Sequence, residues 1–227
     1  MPPDPPEDPG YRAALVDLLG LLAHGELTAF SRLAADADMA PGAGERERFA
    51  RLAIVEFGHY ELLRDHLVGL GGSVDAAMAP YFEGFAAFHR RTRPSTWLEA
   101  VVKAYVGDGI ARDFAVEIAA FLDPRTRALI VAAMAEQERA PVLLELARDG
   151  MAAAPPAAAD RLALWARRLF GEAVTQAQVV AVEHAALTAL LTGQFGGPGL
   201  DITAIGELLG RLTHRHTERM ELLGLSA

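Results

Sequence analysis

The chain has 227 residues, no cysteine, and 30 acidic against 21 basic side chains, for a net charge of −9. Its length suits one domain with a sizeable core. The missing thiols exclude disulfides, thiolate catalysis and cysteine-held zinc or iron–sulfur centres, so any metal must rest on carboxylate and imidazole, and the acidity opposes a phosphate backbone at long range.

Apolar residues make up 52% of the chain and aromatics only 7%, an Ala- and Leu-rich balance that favours helix over strand. No uninterrupted apolar run reaches the roughly 18 residues of a membrane span. Met1 to Gly10 is rich in Pro and Asp, unlike a basic leader. The reading is a soluble cytoplasmic protein without membrane association, with a disordered tail at 1–10 and one helical domain at 11–227.

Apolar spacings of three and four residues predict helices over 11–38, 45–70, 94–122, 124–149, 157–193 and 201–223. Pro41-Gly42, Gly71-Gly72, Asp123-Pro124, Pro155-Pro156 and Gly196-Gly197-Pro198-Gly199 punctuate them. Ser95 is the expected cap of the third helix and Asp201 of the sixth. The Ala-rich stretch 151–160 reads as a loop, without a domain boundary. The link from Gly71 to Thr92 carries Tyr81, Phe82, Phe85 and Phe88, which implies a packed crossover.

On the first helix the stripe Leu15, Leu19, Leu22, Glu26, Phe30, Leu33 places an acid on the core face. The second reads Phe49, Leu52, Glu56, His59, Leu63, Leu67, so a carboxylate and an imidazole share one face three residues apart. In the third helix Asp108 interrupts Trp97, Val101, Ala104, Ala111, Ala115, Ile118 and Leu122. The fourth, Leu129, Ala132, Glu136, Arg139, Leu143, Leu146, repeats the three-residue spacing with Arg in the second place, and Pro141 just beyond should kink it.

The halves match: 30 residues separate Glu26 from Glu56 and 28 separate Asp108 from Glu136, and Gly precedes the first acid each time. Acids on two helices, with Glu-x-x-His on two others, is the layout of dinuclear carboxylate centres in ferritin-like bundles. The fold expectation is therefore all-α, a ferritin-like four-helix bundle with a long crossover and two additional C-terminal helices. Four carboxylates facing one core imply a metal, a raised pKa or a positive side chain, because each uncompensated buried charge costs on the order of several kcal/mol. Oxygen and nitrogen donors suit iron, as one or two ions, or manganese. A guanidinium stays protonated and cannot ligate, so Arg139 is a fixed positive charge beside the second metal position.

Other polar and aromatic residues carry alternative or plainer readings. Glu117 and Glu172 are alternates for the place of Asp108. His184, His214 and His216 read as surface or supporting histidines, and Tyr60 and Tyr105 as packing. The basic run His89-Arg90-Arg91-Thr92-Arg93, with Arg167 and Arg168, reads as a solvated segment between helices. The fifth and sixth helices are expected to cover the bundle or to form a homodimer face.

The segments HGELTAF (24–30), RLAIVEFGHYELL (51–63), WLEAVVKAYVGDGIARDF (97–114), FLDPRTRALI (121–130) and WARRLFGEAVTQAQ (165–178) resemble the ferritin-like tRNA hydroxylases of the MiaE type, in their actinobacterial branch. That resemblance implies a di-iron centre using dioxygen to hydroxylate the isopentenyl group of a modified adenosine in tRNA. Glu26, Glu56, His59, Asp108 and Glu136 match the ligand positions, Asp108 being shorter than the usual glutamate. Arg139 departs from them and makes the second metal site degenerate. The partners implied are tRNA or a small isopentenylated or apolar substrate, and an electron donor that the residues do not identify. The alternative reading is a ferritin-like scaffold without redox activity, with Arg139 as internal counter-ion.

Overall fold

The computed structural model describes residues 8–135, 139–195 and 199–226. Among them the regular structure is helical throughout. The first helix, α1 (Pro9–Asp36), begins inside the expected tail: Asp8 Oδ1 accepts from the backbone N–H groups of Gly10 and Tyr11 at 2.7 and 3.2 Å, and Pro9 takes the first helical position. A capping acid followed by Pro starts a helix there, so Pro9 and Gly10 are helical where composition suggested tail. Residues 1–7 lie outside the described residues.

A short 3-10 turn (Ala37–Met39) leads into α2 (Ala43–Gly69), which packs along most of α1. The crossover holds α3 (Val74–Met78), a 3-10 turn (Ala79–Tyr81) and α4 (Phe82–Arg91). It lies so close to α1 that a Cβ on Gly20 would collide with the carbonyl of Ala77. Next comes α5 (Trp97–Ala119), capped by Thr96 and not by Ser95: Thr96 Oγ1 accepts from Glu99 N at 3.2 Å, while Glu99 Oε2 accepts from Ser95 N at 2.6 Å. This reciprocal arrangement satisfies two orphan donors at once and moves the start of the helix by one residue.

The expected fourth helix is two, α6 (Pro124–Ala133) and α7 (Arg139–Ala152). Pro141 lies in the first turn of α7, where its missing N–H is harmless. Instead of a kink in one long helix, there is a break before it; residues 136–138 lie outside the described residues. The fifth is also two, α8 (Ala157–Glu183) and α9 (Ala185–Leu191), bent by 100° at His184. The bend lets α8 pack on α5 while α9 turns onto α1. Finally α10 (Ile202–Leu222) starts on Asp201, whose Oδ1 accepts from Ala204 N at 2.8 Å as expected, and packs on α5. Helix thus occupies much of the Ala-rich stretch 151–160 that read as loop; of the four-residue turn near 196, Gly196, Gly197 and Pro198 lie outside the described residues.

The 31 residues Pro9–Met39 have the length and hydropathy (1.4) of a membrane span, yet 39% of the apolar window is buried inside the bundle. Glu26 and Asp17 lie within the same stretch.

Buried apolar residues form two clusters. One gathers Leu33, Phe49, Leu52, Val101, Leu143 and Leu146; the other gathers Leu15, Leu19, Leu63, Leu67, Ala115 and Ile130. Four of the places where the chain passes from one to the other lie near Glu26, Glu56, Asp108 and Arg139. A polar layer therefore divides the hydrocarbon core of a ferritin-like bundle.

Candidate metal centre

Glu26 on α1 and Glu56 on α2 are 9% and 3% exposed, and Arg139, in the first turn of α7, is 3% exposed. The His59 side chain is 12% exposed and that of Asp108, on α5, 20%. His59 Nδ1 lies 3.4 Å from Glu26 Oε2 and 3.5 Å from Glu56 Oε2. One ligand atom from each of Glu26, Glu56 and His59 falls within 4.8 Å of the others.

Arg139 stands on the other side of Glu56. Its Nη1 donates to Glu56 Oε1 and lies 3.1 Å from Asp108 Oδ1. Glu56 is thereby divided, one oxygen turned to His59 and the other held by the guanidinium. Of the five residues matched to ligand positions, the structure brings Glu26, Glu56 and His59 together and ties Asp108 to Arg139. Glu136 lies outside the described residues.

Charge follows from this geometry. Burial pushes the Glu26 carboxyl up to about 8. Burial alone would lower the His59 imidazole, but the carboxylates of Glu26 and Glu56 more than reverse this and raise it to about 9. Burial would raise Glu56 as well; His59, Glu26 and Arg139 overcome it and hold the carboxyl well below its ordinary value. Asp108 is pushed up to about 6 by burial, against the pull of Arg139. At neutral pH and without a cation, Glu26 keeps a proton, and His59 and Arg139 balance Glu56 and Asp108.

The residues fit one ion. Two carboxylates and an imidazole converge, and Glu26 Oε2 and His59 Nδ1 are buried without a hydrogen-bond partner, a combination that an oxygen- and nitrogen-binding cation satisfies. They do not fit a second ion between Glu56 and Asp108, because the guanidinium of Arg139 occupies that position.

The alternates are engaged elsewhere. Glu117 pairs with Arg211 at 2.8 Å and Arg215 at 3.0 Å, and Glu172 pairs with Arg91 at 2.6 Å. Part of the basic run is spent internally: Arg90 binds Glu83 at 2.7 Å, Arg168 donates to the carbonyl of Arg91, and the buried Lys103 donates to the carbonyl of Thr92 and lies 3.2 Å from His89 Nδ1. Tyr105 is packed in the core, and Tyr60 lies against Phe57.

The histidines correct the surface reading in two cases. His184 is largely buried, stacks on Tyr81 at 4.4 Å and reaches Asp17 Oδ2 at 3.5 Å. His216 is 5% exposed and stacks on Phe170. Only His214 is on the surface.

Sequence reasoning missed a second buried ion pair, between Asp113 on α5 and Arg219 on α10. Arg219 Nη2 also donates to the carbonyl of Gly109 at 2.9 Å, and a Cβ on Gly109 would collide with that side chain. The signal available was an arginine flanked by Leu212 and Met220 on the buried face of the last helix.

Among solved structures, a protein from Synechococcus with aldehyde deformylating oxidase activity shares the fold, with a TM-score of 0.67 at 18% identity over 97% of this chain and 94% of that one. No curated protein matches the chain. The family described as ferritin-like domain, actinomycetes, matches residues 9–194, which takes in the whole bundle and ends before α10. The chain belongs to this actinomycete ferritin-like domain family.

Proposed function

We propose that this protein is a metal-dependent oxidoreductase that holds a single iron ion on Glu26, Glu56 and His59, with Arg139 in the place of a second ion. The observation that carries this reading is the division of Glu56: one oxygen faces His59 while the other is bound to the guanidinium. One divalent ion together with Arg139 already matches the three carboxylates Glu26, Glu56 and Asp108, and Arg112, which interacts with Asp108, adds further positive charge. A second divalent ion would leave an excess of positive charge in a dry core, which is costly.

A bound iron or manganese ion supplies one-electron redox chemistry and Lewis acidity. The chain's own residues do the rest. Glu26 and His59 would give up their protons to hold a cation, Arg139 fixes the orientation of Glu56 and Asp108, and the two apolar clusters flank the polar layer. The aldehyde deformylating oxidase activity of the Synechococcus protein agrees with an oxidoreductase in this fold.

For the substrate, the motif resemblance supports hydroxylation of an isopentenylated compound. A small isopentenylated or apolar molecule suits the chain better than tRNA, since Arg90 and Arg91 are neutralised by Glu83 and Glu172. A tRNA gel shift at low salt that shows a complex would reverse that preference.

A second reading has one specific observation in its favour: without any cation, His59 and Arg139 already balance Glu56 and Asp108. On it the protein is a ferritin-like scaffold without redox activity. Elemental analysis of protein produced with iron and with manganese separates the two. The oxidoreductase reading expects about one ion per chain, and about two after Arg139→His creates a second imidazole ligand. Protein that retains no metal under either condition supports the scaffold.

A further inference from the structure

A second polar site lies on the outside of the bundle, where the end of α4 meets α8. Arg168, Gly171, Thr175 and Val179 recur at helical spacing on one face of α8 and, with Arg91 and Glu172, line an open groove of about 560 Å³. That volume is in the range of small-molecule sites.

Both guanidinia are held in place. Glu172 Oε2 accepts from Arg91 Nε at 2.6 Å. Gln176, with its amide oriented to suit its neighbours, accepts from Arg91 Nη2 at 2.9 Å and donates to the carbonyl of Gly84 at 3.2 Å. Arg168 Nη2 donates to the carbonyl of Arg91 at 2.7 Å. Donors are left over: among the described residues, Arg91 Nη1 and Arg168 Nε and Nη1 have no partner, and no carboxylate pairs with Arg168. Cations already fixed by their neighbours lose less freedom on binding than loose surface arginines do.

Charge decides what the groove takes up. Two guanidinia against one carboxylate leave the lining positive, on a chain whose net charge is −9. The neighbouring groups keep that sign. Arg90 is matched by Glu83, whereas Arg167 binds the carbonyl of Ser226 and no acid. Lys103, which donates to the carbonyl of Thr92, shares Asp36 with Arg32 and Arg93. The opposing acids on α8 are distant: Asp160 lies two turns before Arg168, and Glu183 one turn beyond Val179. Three free N–H donors in a positive field suit a group with three acceptor oxygens and nearly two negative charges, which a phosphate monoester has and a carboxylate lacks. One phosphoryl group also suits so short a basic end better than a nucleic-acid backbone, which the acidity of the whole chain repels.

We propose that the groove between α4 and α8 binds a phosphate monoester of a small organic molecule, with the phosphoryl group on Arg91 and Arg168 and the organic part along Thr175 toward the part-exposed Val179. Gly171 gives that part room. A Cβ there would meet no atom within 4 Å, so packing does not require a glycine at this point of a long helix. The site is separate from the metal centre and does not depend on it.

Calorimetric titration with butyl phosphate, with pentanoate and with a short single-stranded RNA tests this. Butyl phosphate should bind saturably with a Kd of about 1 mM or tighter, and pentanoate about tenfold more weakly or worse. Arg168→Gln should weaken butyl phosphate by about tenfold or more. Gly171→Leu, which fills the groove with a better helix former, should do the same in a folded protein. Loss in both variants assigns the binding to the groove and not to an ion at the metal centre. Absence of saturable binding, equal affinity for pentanoate, tighter binding of the RNA per phosphate, or unchanged butyl phosphate affinity in either folded variant overturns the proposal. The comparison of the three probes on the unsubstituted protein stands even if a variant does not fold.

Discussion

Arg139 reaches across the bundle to Glu56, and its Nη1 binds the one carboxylate oxygen that is turned away from His59. Two side chains 83 residues apart in sequence thus meet in the polar layer, and on the proposed reading their contact leaves room for one cation.

Removing the guanidinium from the metal-free protein leaves Glu56 and Asp108 facing each other without a counter-charge. Arg139→Leu should destabilise the apo protein by about 3–5 kcal/mol, the usual cost of breaking a buried ion pair on one side. Urea unfolding of both proteins in the presence of a chelator measures this. A loss below about 1 kcal/mol would mean that the pair is effectively solvated.

Metal uptake should weaken as pH falls. Glu26 and His59 carry raised pKa values of about 8 and 9, so both hold protons at neutral pH, and a cation must displace them. Below pH 8 the apparent affinity should drop by about one to two decades per pH unit. Mn(II) titrations near pH 6, 7 and 8 read the slope directly; a flat profile would show that these groups are not the ligands.

Acid should also erode the packing of α10. Burial, with Arg219 beside it, lowers His216 from 6.5 to about 4. A folded-state pKa below the unfolded value gives stability that is full above pH 6.5, falls as pH drops and is lost below about 4. The amount is of the order of a few kcal/mol. His89, lowered to about 3 by burial and by Lys103, acts in the same direction. Thermal melts from about pH 7 to about pH 4.5 should therefore shift less in His216→Phe than in the unsubstituted protein, with His89 leaving some slope behind.

Gly109→Ala tests the lock between α5 and α10. The added Cβ would collide with Arg219 and push it from Asp113, at a cost of about 2–4 kcal/mol from overpacking and a weakened buried pair. Hydrogen exchange should rise across Ile202–Leu222, and exchange in α1 and α2 should change little. Uniform loss of protection would instead place α10 in the same cooperative unit as the bundle.

Much of the candidate centre could be read along the chain because a helix repeats every 3.6 residues. An acid inside an apolar stripe, as at Glu26 and Glu56, must point at the core, whatever the neighbouring helices do. The same logic served less well on α5: Ala111, placed on the core stripe, is exposed, while Asp113 is buried. A register drifts over a long helix, and only the packing of α8 and α10 on α5 fixes which face is covered. Local breaks were also hard to read. The end of α6 before Arg139 and the 100° bend at His184 divide stretches whose periodicity runs on without interruption.

By itself the sequence determined a helical bundle with Glu26, Glu56 and His59 on inward faces, because the spacing of apolar residues dictates which side of each helix leaves water. Only the tertiary structure decided that Glu56 is shared between His59 and Arg139, that Asp108 is tied to Arg139 rather than joined to the cluster of Glu26, Glu56 and His59, and that one edge of the guanidinium remains unused. Those facts depend on which atoms of distant helices come within hydrogen-bond reach, and periodicity along one helix carries no information about that distance.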